Sequence, residues 1–176
     1  MPYHFPMKVI GIAGFSGSGK TTLIEKVVPI LVREGLRVSL IKHAHHEFDV
    51  DQPGKDSYRH RHAGCAEVLV SSSKRWVVMH ELRGAEEPTL SDQLKRLSPC
   101  DLVLVEGYKS ESIPKMEVHR RASTAPLLHP DDPHVVAVAT DEPLETSLPQ
   151  LDIDDAESVA RFLIQFLGLN RARLVR

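Results

Sequence analysis

Gly14-Phe15-Ser16-Gly17-Ser18-Gly19-Lys20-Thr21 is the stretch that decides the fold of this chain. It matches the P-loop pattern G-x-x-x-x-G-K-[ST] at every required position. The mainly apolar residues 8–13 before it predict a short buried strand, and residues 23–32 after it carry the apolar stripe of a helix. Strand, glycine-rich turn and helix are the setting in which this pattern forms a phosphate-binding loop.

The chemistry of a P-loop assigns a role to most of these residues. Backbone N–H groups cradle phosphate oxygens, the lysine reaches the β- and γ-phosphates, and the hydroxyl holds Mg²⁺. Lys20 is therefore a candidate catalytic residue that would neutralise charge as a γ-phosphoryl group leaves, and Thr21 is a candidate metal ligand. A turn that binds nothing is the alternative. The candidate nucleotide-binding residues are Gly14, Ser16, Gly17, Ser18, Gly19, Lys20, Thr21 and Thr22.

Length and composition favour one globular nucleotide-binding domain over residues 1–176, with loose ends at 1–6 and 170–176. The 176 residues are 41% hydrophobic and 26% charged, which is ordinary for a domain with a real core. A formal charge of −2 argues against nucleic-acid binding. The two cysteines are far apart, and neither a membrane-length apolar run nor a signal peptide is present, so a cytoplasmic protein is expected.

A polar loop follows the second predicted strand, residues 36–42. Because ligands bind beyond the carboxyl ends of parallel strands, we expect residues 43–57 to face the P-loop. Asp49 and Asp51 are candidate catalytic residues that would hold Mg²⁺ or position water, or would meet a partner's basic group. A solvated loop, with Asp56 or Ser57 as a plain helix cap, is the alternative.

The same loop is rich in histidine. His43, His45 and His46 are candidate ligands of Zn²⁺ or Ni²⁺, but they lack a cysteine and a regular spacing. The favoured interpretation is that they form local hydrogen bonds or contact phosphate. Beyond them, Arg59 and Arg61 lie on a short predicted helix and either assist phosphate binding or form a solvated face.

Residues 66–71 and 75–80 predict an antiparallel β-hairpin with a tight turn. Such a hairpin is a candidate edge for self-association, and the alternative is that it extends the main sheet. Residues 100–106 then predict a Walker-B-type strand that ends in Glu106. Glu106 is the candidate metal ligand beside the P-loop, ranked above Asp101 at the other end of the strand, and a surface glutamate is the alternative.

Asp141 follows the last strongly apolar strand, residues 135–139. A carboxylate there would accept hydrogen bonds from guanine N1–H and the 2-amino group, which adenine does not offer. The usual N-K-x-D sequence is absent, and a turn residue is the alternative. Residues 144–153 are predicted as a linker before a final helix at 156–167.

Four stretches together resemble the MobB family, molybdopterin-guanine dinucleotide biosynthesis protein B. The resemblance implies a GTP- and Mg²⁺-binding, weakly GTP-hydrolysing homodimer. It also implies a partner, MobA, which attaches GMP to molybdopterin, and molybdopterin or its guanine dinucleotide as a further ligand. The stretches are residues 14–22, residues 40–57 without 47 and 48, Leu104-Val105-Glu106-Gly107-Tyr108-Lys109, and Val138-Ala139-Thr140-Asp141.

These features predict a three-layer α/β P-loop fold with a mainly parallel sheet and an added antiparallel hairpin. The expected function is accessory GTP binding, with slow turnover because no arginine finger or water-orienting glutamine is evident. A small-molecule kinase is an alternative, for which Arg120-Arg121 is the only lid-like pair. A metallochaperone GTPase that uses the histidines is another.

Overall fold

A computed structural model describes residues 7–44 and 48–169. The chain divides into two compact units, a sheet unit (residues 1–43 and 97–176) and a ribbon unit (residues 44–96). His45, His46 and the predicted loose ends lie outside the described residues. The elements, in chain order, are β1 (Lys8–Ala13), α1 (Lys20–Arg33), β2 (Val38–Lys42), α2 (Asp56–His62), β3 (Glu67–Ser71), β4 (Trp76–His80), α3 (Leu90–Arg96), β5 (Leu102–Glu106), β6 (Lys115–His119), β7 (Val135–Thr140), β8 (Gln150–Asp152) and α4 (Ala156–Phe166).

The sheet unit is built on a six-stranded sheet of order β2-β5-β1-β6-β7-β8, in which every neighbouring pair is parallel. Strand β5 lies between β1 and β2, so Glu106 pairs with Ile12 on one side and Lys42 on the other. All six carboxyl ends therefore meet at one edge of the sheet. The prediction of a mainly parallel α/β fold is confirmed.

The apolar core joins this sheet to α1 and α4, which contact each other. Leu23, Val27 and Leu31 of α1 recur at helical spacing and are buried against strand residues such as Leu104 and Met116. Within the described residues, no helix has both the length and the apolar character needed to cross a membrane.

Strand β6 also buries two charged residues, each paired with the loop that follows it. Lys115 Nζ donates to Asp132 Oδ2 at 2.5 Å. The Glu117 carboxylate accepts the backbone N–H groups of Leu128 at 2.6 Å and His129 at 3.0 Å. Because buried charges require such partners, these bonds fix the loop against the central strands.

The ribbon unit contains the predicted hairpin. Strands β3 and β4 are antiparallel, with Glu67 opposite His80 and Ser71 opposite Trp76. They form a separate two-stranded sheet, so the alternative that the hairpin extends the main sheet is wrong.

The predicted linker at residues 144–153 contains a strand, which corrects that prediction. Strand β8 pairs in parallel with β7, with Val138 opposite Gln150 and Thr140 opposite Asp152. It has only three residues and a mixed polar sequence, so no apolar run or alternation marks it. Its place in the sheet comes from pairing with β7 rather than from local propensity.

Candidate nucleotide site

The P-loop joins β1 to α1 at the carboxyl edge of the parallel sheet. Gly14 has φ +147°, and a Cβ built on it would lie 2.4 Å from the backbone oxygen of Val118. No residue with a side chain fits there, which explains the first glycine of the pattern. The loop backbone is thereby packed against the end of β6 and turns directly into α1 at Lys20.

Ser18 shows that this loop holds an unsatisfied polar group. Its side chain is buried, with 2% exposed, and its Oγ has no hydrogen-bond partner among the described residues. Buried hydroxyls are normally paired, because an unpaired one costs about 1–3 kcal/mol. The residues at this turn therefore fit a ligand with hydrogen-bonding oxygens, as a phosphate chain is.

The side chain of Lys20, the P-loop lysine, bonds to the backbone of the P-loop itself. Its Nζ donates to the Phe15 backbone oxygen at 2.8 Å, and the same oxygen accepts the Ser18 N–H at 3.2 Å. Burial lowers the pKa of Lys20; Glu106 opposes this shift, and the nearby ammonium groups of Lys109 and Lys42 add to it. An anion beside Lys20 would favour the charged ammonium group and so offset both the cost of its burial and the repulsion.

The two predicted metal ligands are brought together. Thr21 Oγ1 donates to Glu106 Oε1 at 3.0 Å, and Lys42 Nζ lies 3.4 Å from the same carboxylate oxygen. Glu106 is only 6% exposed at the end of β5. A hydroxyl at the start of α1 and a carboxylate at the end of β5 are oxygen ligands of the kind that Mg²⁺ takes beside phosphates. These two side chains would hold the ion together with phosphate oxygens.

Asp141 ends β7 in a network that reaches the P-loop. Its Oδ1 accepts the Arg121 N–H at 2.7 Å, and its Oδ2 accepts Arg120 Nη1 at 3.3 Å. The Arg121 N–H is the main cause of the lowered pKa of Asp141. Arg120 Nη2 also donates to Asp154 Oδ1 at 3.0 Å. A Cβ on Gly19 would lie 3.1 Å from Arg120 Nε, so this guanidinium lies beside the P-loop and is held by two carboxylates.

Asp49 and Asp51 lie in the ribbon unit, where both bind Arg61. Arg61 Nη2 donates to both carboxylate oxygens of Asp49, at 2.8 and 2.7 Å, and its Nε donates to Asp51 at 3.3 Å. Arg61 Nη1 donates to Glu81 at 2.6 Å. The guanidinium that the sequence offered as a phosphate ligand is thus surrounded by three carboxylates; we call these four residues the Arg61 cluster.

The pKa values of both aspartates are lowered within this cluster. For Asp49 the main cause is the hydrogen bond from Arg61. For Asp51 burial acts in the opposite direction, but hydrogen bonds from Ser57, Gln52 and Arg61 outweigh it. The side chain of Asp49 remains 42% exposed and that of Asp51 only 8%.

Helix α2 begins differently from the prediction. Lys55 occupies the N-cap position, and no side chain caps the helix. The alternative that Asp56 or Ser57 is the cap is therefore wrong. Ser57 Oγ instead donates to Asp51 Oδ1 at 2.8 Å.

Of the loop histidines, only His43 lies within the described residues, with its ring centroid 5.0 Å from that of Tyr108. Across residues 7–44 and 48–169, no three His, Cys, Asp or Glu side chains are grouped so that they could hold a metal ion.

Two cations at the site had no role in the sequence interpretation. Lys42 ends β2 beside Glu106, and Lys109 Nζ lies 4.1 Å from the centroid of the Phe15 ring. Lys42 ends β2, and Lys109 follows the end of β5 by three residues, so their positions at the carboxyl ends of parallel strands were the available signal.

The sheet order and the loop between β1 and α1 define a P-loop-type α/β protein. Within that class, the chain belongs to the MobB family: the family model described as molybdopterin guanine dinucleotide synthesis protein B matches residues 9–141.

Relatives and solved structures agree with this assignment. The molybdopterin-guanine dinucleotide biosynthesis adapter protein of Escherichia coli is 44% identical over 162 residues, covering 90% of this chain and 93% of the relative. That of Haemophilus influenzae is 45% identical over 160 residues, covering 90% and 89%. A crystal structure of a molybdopterin-guanine biosynthesis protein B superimposes with a TM-score of 0.72 at 26% identity, covering 90% and 99%. A MobB homologue from Bacillus stearothermophilus gives 0.68 at 30% identity, covering 93% and 100%.

Proposed function

We propose that this chain is a cytoplasmic adapter protein of molybdopterin-guanine dinucleotide biosynthesis that binds Mg·GTP and assists a MobA-like guanylyltransferase. The P-loop is the observation that supports this proposal most: Lys20 bonds to its backbone, the Ser18 hydroxyl has no partner among the described residues, and Thr21 contacts Glu106. These groups offer donors to phosphate oxygens and oxygen ligands to Mg²⁺. The biosynthetic role rests on family membership.

Asp141 would supply the guanine specificity. The Arg121 N–H and Arg120 orient its carboxylate and keep it ionised, and the lowered pKa reflects this. An ionised carboxylate only accepts hydrogen bonds, which matches the two donors on the guanine edge. Its position at the carboxyl end of β7 is where a parallel sheet presents groups to a ligand.

Hydrolysis by this site would be slow. Arg120 is engaged with Asp141 and Asp154, which does not favour it as an arginine finger. The two candidate water-positioning residues, Asp49 and Asp51, both bind Arg61, which does not favour either of them for that role. Slow hydrolysis suits an adapter whose bound nucleotide controls its interaction with a partner protein.

The ribbon of β3 and β4 is the proposed homodimer contact. Two strands alone are marginally stable in water, and their edges are open to pairing with another chain. The ribbon also exposes apolar side chains that a second copy could cover: Leu69, Val70, Trp76, Val77 and Val78 are each 40% or more exposed.

Molybdopterin or its guanine dinucleotide stays a proposed ligand on the strength of the family alone.

The experiment that tests this function is calorimetry with Mg²⁺, comparing GTP and ATP on the wild type and Asp141→Ala. We expect the wild type to bind GTP more tightly than ATP. In the variant, the ratio of the GTP affinity to the ATP affinity should fall about tenfold. Equal or tighter ATP binding by the wild type would instead favour the kinase alternative. In that case, transfer of labelled γ-phosphate to a metabolite would replace its release to water.

A further inference from the structure

The turn after β5 has an unusual backbone. Gly107 has φ +100°, and Tyr108, which is not a glycine, has φ +40°. Two successive residues with positive φ reverse the chain immediately beyond Glu106, and such a conformation costs free energy at a residue with a side chain. A Cβ on Gly107 would also lie 3.0 Å from the Cβ of His43. The surrounding structure therefore imposes this turn.

The turn places Lys109 on the P-loop. Its Nζ lies 4.1 Å from the centroid of the Phe15 ring, within the range of a cation–π contact. Lys20 binds the backbone oxygen of the same Phe15, so both ammonium groups contact one residue of the loop. Within the part of the chain that the structure describes, no carboxylate forms an ion pair with Lys109.

Positive charge is therefore in excess around Lys20. Lys42 and Lys109 lie near enough to influence Lys20, and Glu106 is the carboxylate that acts on it. A triphosphate with one Mg²⁺ is still net negative, so it would balance this excess. The contact that the structure shows for Lys109 Nζ is with the ring of Phe15.

We propose that Lys109 is a second phosphate-binding lysine, which contacts the γ-phosphate of a bound nucleoside triphosphate and so distinguishes it from the diphosphate. This inference rests on the proposed nucleotide binding. Because Lys109 follows Glu106 by three residues and shares Phe15 with Lys20, it approaches the loop on the side where the metal and the terminal phosphates would lie. The contact with Phe15 holds the ammonium group close to that position when no anion is bound.

The test compares the affinities for Mg·GTP and Mg·GDP by calorimetry in the wild type and Lys109→Met. We expect the variant to bind GTP about tenfold more weakly and GDP within about twofold of the wild type. Lys109→Arg keeps the charge and should restore most of the GTP affinity. Lys8→Met is the matched control, because Lys8 is an exposed lysine at the amino end of β1 in the same unit.

Other outcomes separate this inference from the function on which it rests. If Lys20→Ala weakens both nucleotides while Lys109→Met leaves the GTP-to-GDP ratio unchanged, nucleotide binding stands and the role of Lys109 is refuted. If Lys109→Met and Phe15→Leu lower the melting temperature and weaken both nucleotides equally, Lys109 only supports the loop. If the wild type binds neither nucleotide, the function and the inference fail together.

Discussion

The P-loop edge of the sheet unit and the Arg61 cluster of the ribbon unit are opposite arrangements of charge. Around Lys20 at the P-loop edge, Lys42 and Lys109 add two ammonium groups, and Glu106 is the carboxylate that acts on Lys20. In the Arg61 cluster, one guanidinium binds three carboxylates through close hydrogen bonds. Ser18 Oγ in the first region has no partner among the described residues, whereas Ser57 Oγ in the second donates to Asp51.

This difference distinguishes a binding site from a structural contact. Charged groups that the chain itself pairs hold its segments together, and bringing a ligand to them requires breaking those bonds. Charged groups in excess at a glycine-rich turn can still bind a ligand, because a ligand of opposite charge supplies the partner that the protein does not. The P-loop edge is therefore expected to govern nucleotide affinity, and the Arg61 cluster to govern the stability of its unit.

The largest expected effect is on the P-loop side. Lys20→Ala removes the ammonium group that Phe15 holds on the loop, and a charged phosphate contact is lost with it. We expect the affinity for Mg·GTP to fall about 100-fold, since charge-assisted hydrogen bonds are the strong ones. Calorimetry measures this, with the melting temperature as a control for folding. An affinity within threefold or so of the wild type would show that phosphates do not bind here.

The next effect is on the Arg61 cluster. Arg61→Ala leaves Asp49, Asp51 and Glu81 without their shared cation, so we expect the melting temperature near pH 7 to fall by several degrees. The lowered pKa values of the aspartates add a pH dependence. Their stabilisation is complete above the ordinary aspartate pKa of about 4 and is lost as the pH falls through the lower folded values. The gap between wild type and variant should therefore narrow in acid.

Arg59→Ala is the control on the same helix, because Arg59 is exposed and forms an ion pair only with Asp56, at 3.7 Å, among the described residues. It should leave the melting temperature close to that of the wild type. Arg61→Ala should also retain nearly full Mg·GTP affinity. If it loses as much affinity as Lys20→Ala, the Arg61 cluster belongs to the nucleotide site and the contrast between the two regions is wrong.

Much of the sheet unit could be predicted because its signals are local. The P-loop pattern and the apolar run before Glu106 each specify an element and its end, and parallel pairing then brings Thr21 to Glu106. Strand β8 could not be predicted, since its three residues owe their conformation to β7. Tertiary pairing of this kind leaves no period in the sequence.

The sequence also could not predict which charged side chains pair with each other. Sequence position suggested Asp49 and Arg61 for a ligand, but these two residues, twelve apart, bind each other instead. Neither composition nor spacing specifies which charges pair, because pairing depends on how the loop meets helix α2. The same holds for Lys109, whose direction is set by the positive φ of Tyr108 rather than by a recognisable motif.

The smallest expected effect compares two serines. Ser18→Ala removes a buried hydroxyl that has no partner among the described residues, so the free energy of unfolding should stay unchanged or rise by up to about 1 kcal/mol. Ser57→Ala, the matched change in the ribbon unit, removes the donor to Asp51 and should lower it by about 1 kcal/mol. Denaturant unfolding of the nucleotide-free variants measures both. If Ser18→Ala is instead the more destabilising of the two, the Ser18 hydroxyl already has a hydrogen-bond partner without ligand. Ser18 would then give no support to a phosphate site at the P-loop edge.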